Sequence, residues 1–147
     1  MSLDVSLITK EPVIKSGTGV FIREDGKRRE LSVAEVKEKW PESDIDEQEY
    51  ASREMFDSNI THNLSKMAVH AELYEALWRP DEQGWKYARD IIPKLETGLK
   101  ALKDRPDYYK SCNPDNGWGS YDGLVSFVER YLAACREYPD AEIEVSR

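Results

Sequence analysis

The sequence predicts an α+β fold: a mostly antiparallel sheet built from strands at both chain ends, with a central set of helices packed on one face. Three observations predict it. The opening residues alternate, placing Leu3, Val5 and Leu7 on one side. The closing residues Ala141-Glu-Ile-Glu-Val-Ser-Arg147 alternate too, with Ile143 and Val145 inward and Glu142 and Glu144 toward water. Between these ends the apolar spacing is helical. Strands at the ends with helices between them indicate segregated layers rather than repeated βαβ units. At 147 residues, 39% hydrophobic, the chain is the size of one domain with one core, so residues 1–147 are read as a unit.

After the first strand, residues 18–31 read as a β-hairpin. Val20-Phe-Ile-Arg23 runs into Glu24-Asp-Gly-Lys27, and Asp25-Gly26 is a strong turn signal because glycine accepts positive φ. Ser32-Val-Ala-Glu35 matches a capping box, opening a short helix that runs to about Trp40 and stops before Pro41. Residues 41–49 form an acidic loop without the glycine and terminal glutamate of a calcium loop. Residues 50–57 read as a strand.

A helix is expected from Asn59, taken as its N-cap, with Ile60, Leu64, Met67, Ala68 and Ala71 at helical spacing. A second helical piece covers Glu72 to Trp78. The next helix, 85–103, carries Ala88, Ile91, Ile92, Leu95, Leu99 and Leu102 on one face, and Pro93 within it predicts a kink or a break. A polar, aromatic connection follows. The last helix, about 120–137, has the clearest stripe: Leu124, Val125, Phe127, Val128, Tyr131, Leu132 and Cys135.

Composition narrows the function classes. The net charge of −8 opposes general binding to nucleic acid or anionic lipid, which needs cations against phosphate. Lys27-Arg-Arg29, flanked by Asp25 and Glu30, reads as a solvated hairpin tip. No apolar run approaches the roughly 20 residues of a membrane span, and the opening lacks the pattern of a signal peptide. Cys112 and Cys135 have no metal-type spacing, so two free thiols in a cytoplasmic setting are expected. His62 and His70 would lie about 80° apart around a helix with no further ligands nominated, so no metal is expected. No phosphate loop, nucleophile elbow, HExxH or CxxC is present, and no cofactor is expected.

Three segments carry more polar and aromatic character than packing requires. In Asn59-Ile-Thr-His-Asn-Leu64, His62 is the side chain type that titrates near neutrality, and Asn59 and Asn63 can orient a polar group. In Leu77-Trp-Arg-Pro80, Arg79 offers a planar fork and Trp78 a stacking face. In Asn116-Gly-Trp-Gly-Ser-Tyr121, two glycines around Trp118 let the backbone approach a partner closely. The plainer alternative for each is a cap, a core aromatic or a tight turn.

These motifs, with the opening Met1-Ser-Leu-Asp-Val5, Lys66-Met-Ala68, Tyr74-Glu-Ala76 and the ending Pro139-Asp-Ala-Glu-Ile-Glu-Val-Ser-Arg147, also resemble those of a family of small, largely uncharacterised bacterial and bacteriophage proteins. The resemblance covers most of the chain. It implies an accessory role between phage and host, and by analogy the sequestering of a nucleotide signal; it implies no catalytic residue.

The functional expectation is a protein that binds a polar, nucleotide-like small molecule through Asn59, His62, Asn63, Trp78, Arg79, Asn116, Trp118 and Tyr121. One alternative is a hydrolase or lyase using His62 as acid or base. The other is an acidic protein-binding inhibitor module. Ligand, pathway and oligomeric state are not written in the residues.

Overall fold

A computed structural model describes residues 2–24 and 27–147. Its strands are β1 (Ser2–Gly17), β2 (Phe21–Glu24), β3 (Lys27–Glu30), β4 (Gln48–Thr61) and β5 (Glu142–Ser146). Its helices are α1 (Val33–Lys39), α2 (Ser65–His70), α3 (Tyr74–Trp78), α4 (Ala88–Asp104), α5 (Pro106–Lys110) and α6 (Tyr121–Glu137). The fold is α+β, and the sheet order is β2-β3-β4-β1-β5, every pairing antiparallel.

The first and last strands lie side by side, Val5 opposite Val145 and Leu7 opposite Ile143. On β1's other edge Leu3, Val5 and Leu7 face Ile60, Ser58 and Phe56 of β4. This alternation aims Leu3, Val5 and Leu7 into the core, where they are fully buried. Against that face lies α6, with the Tyr131 ring stacked on Phe56 at 5.5 Å between centroids. Helix α4 packs on α6 in turn. On the opposite face Ser6 donates to Glu54 and Asp57. Arg28 and Arg23 of the hairpin pair with those same carboxylates. The hairpin pairing is as expected, while its Asp25-Gly26 turn lies outside the described residues.

Several boundaries differ from the sequence reading, each for a physical reason. Asn59 does not begin a helix. Strand β4 continues to Thr61, because Ile60 is buried opposite Leu3 and Asn59 pairs with Asp4 in the same ladder. Sheet pairing over this stretch outweighs the helical spacing of its apolar residues. Thr61 is the cap instead: its hydroxyl accepts from the Asn63 amide at the start of a 3-10 turn, His62–Leu64, which leads into α2. The helical piece beginning at Glu72 starts two residues later, because Glu72 ends α2 in the left-handed region, φ 60°.

Helix α4 is not broken at Pro93. The proline faces water while Ala88, Ile91, Leu95 and Leu102 face the core, so the carbonyl it leaves without an amide is open to solvent. Part of the polar connection forms the short helix α5, anchored by buried Tyr109, whose hydroxyl donates to the His70 carbonyl. The Ser32 capping box and the Cys135 position match expectation. Burial pushes the Cys135 thiol up to about 12. None of the described helices is long and apolar enough to cross a membrane.

Candidate functional site

The chemistry-bearing segments gather at one end of the sheet, where β1 begins and β4 and β5 finish: Ser2 lies opposite Thr61, and Asp4 opposite both Asn59 and Ser146. Two clusters form there.

The first is a groove of about 610 Å³ between the end of β4 and the first half of α6. Asn59 and Thr61 line its strand wall, Ser120 and Arg130 its helix wall, and Trp118 stands at its rim. The loop before α6 is fixed by short polar contacts. Asn116 Oδ1 accepts from the Trp118 amide at 2.9 Å, Asn113 Oδ1 from the Tyr121 amide at 2.8 Å, and Ser120 Oγ from the Gly123 amide at 3.1 Å. Gly119, at φ +102°, lies so close to the strand end that a Cβ would sit 2.7 Å from Thr61 Cγ2 and 2.9 Å from Leu64 Cγ. Only glycine allows both that backbone and that approach. The outcome is an indole held on a tied loop yet 70% exposed, although burying an aromatic ring is normally favourable.

Arg130 is the charged side chain of this groove. Arg23, Arg28, Arg79, Arg89 and Arg147 each form an ion pair with a carboxylate. Arg130 forms none among the described residues. Its Nη1 donates to Ser58 Oγ at 3.0 Å, and its Nε is enclosed without a partner. Burial lowers its pKa with no carboxylate acting to raise it. A half-buried guanidinium lacking an anion is electrostatically incomplete.

The second cluster is an aromatic ladder. Trp78 is buried, stacks on Tyr74 at 5.7 Å, and donates its Nε1–H to His62 Nδ1 at 2.9 Å. In the neutral imidazole the proton then sits on Nε2. Arg79 donates to the Tyr74 hydroxyl and to Glu82, and both acceptors hold its pKa above the usual value. Arg147 closes the cluster through the Trp78 carbonyl at 2.9 Å and Asp81 at 2.8 Å.

Of the residues singled out from sequence, Asn59 and Trp118 therefore share the groove, and Asn116 holds the Trp118 turn. His62, Trp78 and Arg79 belong to the ladder. Asn63 is exposed and bonds to Thr61 through its amide and its Nδ2. Tyr121 is buried outside the groove lining, stacked on Tyr109 and donating to the Leu102 carbonyl at 2.8 Å. Arg130, Ser120 and Thr61 were not nominated by sequence. Arg130 carries no mark of its own in the sequence, since Glu129 beside it interrupts the same stretch from Phe127 to Leu132. Among the described residues no cluster of His, Cys, Asp and Glu has the makings of a metal site.

No protein-family model, no curated protein and no solved structure matches this chain.

Proposed function

We propose that the chain is a binding protein for a polar small molecule, held in the groove between the end of β4 and the start of α6. The observation that carries this reading is Trp118: a large aromatic ring left 70% exposed on a loop whose glycine and side-chain bonds hold it at the rim of a groove of mixed polar and apolar lining. A volume of about 610 Å³ is within the roughly 300–1,000 Å³ of small-molecule sites. Asn59, Thr61 and Ser120 supply polar atoms that orient a ligand, and the indole supplies a stacking face. A nucleotide-like ligand fits this mixture. The setting we propose is the cytoplasm, in keeping with two free cysteines, Cys112 half-buried and Cys135 buried.

The test is a thermal-shift screen against nucleotides, nucleosides, sugar phosphates and aromatic acids. At one hundred times Kd a ligand adds about 2.7 kcal/mol, which for a chain of this size raises Tm by roughly 5–11 °C. The reading expects a hit whose shift is lost in Trp118→Ala while the unliganded Tm stays within a few degrees. A hit undiminished in Trp118→Ala places the ligand elsewhere and contradicts the reading.

A further inference from the structure

Resting on that reading, we infer that the ligand of this groove is a monoanion carried on a planar ring, its oxyanion on Arg130 and its ring on Trp118. The chain has 29 acidic and 21 Lys and Arg residues, so an arginine has no shortage of carboxylates to meet. Arg130 nevertheless meets none among the described residues, although it is half-buried. Its one hydrogen bond, to Ser58, is to a neutral hydroxyl, which positions the guanidinium without neutralising it. An anion entering from the groove completes it, and in a partly dry site that contact is stronger than on an open surface.

The charge state of the ligand follows from the walls. Asn59, Thr61 and Ser120 are neutral, and among the described residues no second cation lines the groove to match a second negative charge. The adjacent helix residue Asp122 is exposed and acidic, which further disfavours a dianion. A carboxylate or a phosphodiester meets this condition, whereas a terminal phosphate, near −2 at neutral pH, does not. The ring follows from Trp118, because stacking on an exposed indole needs a flat partner and is worth roughly a factor of 5 to 150 in affinity per ring.

The experiment is isothermal titration of the wild type with matched probes: indole-3-acetate against indole-3-acetamide, cyclic AMP against adenosine, and inorganic phosphate as an anion without a ring. The expected result is that at least one charged member binds about tenfold or more tighter than its neutral partner. That preference disappears in Arg130→Gln and persists, with weaker binding overall, in Trp118→Ala. Preference in the indole pair alone assigns a carboxylate, and in the adenosine pair alone a phosphodiester. Arg130→Lys keeps the charge and should keep the preference, which serves the test should the Gln variant not fold. Equal binding of charged and neutral partners overturns the charge assignment while leaving the groove as the binding site. Phosphate binding as tightly as the ring-bearing anions overturns the ring. No binding by any of the five at millimolar concentration overturns this assignment, while a hit in the wider thermal-shift screen would keep the groove reading alive separately.

Discussion

Adding one methyl group at Gly119 tests how the groove is built. At φ +102° an L side chain is strained, which costs about 1–3 kcal/mol. The new Cβ would also stand 2.7 Å from Thr61 Cγ2 and 2.9 Å from Leu64 Cγ, and Leu64 is a buried core residue. Forcing a methyl group into such a contact adds about 1–3 kcal/mol. The reduced freedom of the unfolded chain returns about 0.4–1 kcal/mol, leaving a net loss of about 3 kcal/mol for Gly119→Ala. Gly117 is the control two residues away. Its φ is +75°, but a Cβ there meets nothing within 4 Å, so Gly117→Ala loses about 1 kcal/mol or less. Urea denaturation followed by far-UV circular dichroism measures both, with an unchanged m value required for the comparison. A difference of about 2 kcal/mol between the variants is expected. Leu64→Ala should be less harmful in the Gly119→Ala background than alone, because the methyl group then has space. Equal losses at the two glycines, or strict additivity with Leu64→Ala, would refute the packing of this loop on the strand end.

Three other outcomes are expected from features away from the groove. The Tyr131 hydroxyl is buried with no partner among the described residues, so Tyr131→Phe should raise the unfolding free energy by about 1 kcal/mol or more; a clear loss would mean that the hydroxyl is satisfied. Glu72 closes α2 at φ 60°, where glycine is the usual residue, and Glu72→Gly should be neutral or stabilising by up to about 1 kcal/mol in the same denaturation assay. The Cys135 thiol, raised from an ordinary 9.0 to about 12, keeps its proton in the folded state when the unfolded chain has lost it. Above pH 9 the folded state therefore binds more protons. Stability should then fall as pH rises from 9 toward 12, by up to about 1.4 kcal/mol per unit from this group, and a Cys135→Ala variant should show a shallower fall. A pH slope unaltered in that variant would show that the thiol is not held protonated by the fold.

The sheet was legible in the sequence where one face alone is buried. Leu3, Val5 and Leu7 alternate with polar residues, and a period of two admits only one assignment. The end of β4 was not legible, because Asn59 followed by Ile60 and Leu64 suits a helix start as well as a strand. Only the distant partner Leu3, opposite Ile60, decides between them. The break offered as one outcome at Pro93 does not occur, for a related reason: whether a proline interrupts a helix depends on which side of it faces water.

For the site, Trp118 was readable from its flanking glycines, which announce an unusual backbone. Arg130 was not, since charged residues make up 34% of the chain and one more among them carries no signal. Its distinction is the absence of a counter-ion among the described residues, and that is visible only when α6 is laid against Ser58 of the sheet. Trp78 and Tyr121 were chosen for aromatic character that the core turned out to use, stacking one on Tyr74 and the other on Tyr109.

The most direct test of the groove is an NMR titration that follows the indole N–H signals of the four tryptophans while indole-3-acetate or cyclic AMP is added, with the Trp118 signal assigned from a Trp118→Phe variant. Trp118 lies at the groove, Trp85 lines two other hollows, Trp78 is buried beside His62, and Trp40 is exposed at the end of α1. The Trp118 signal is expected to move in a saturable way while those of Trp85 and Trp40 stay in place. Movement of Trp85 with Trp118 unchanged would put the ligand in another hollow and contradict the groove reading.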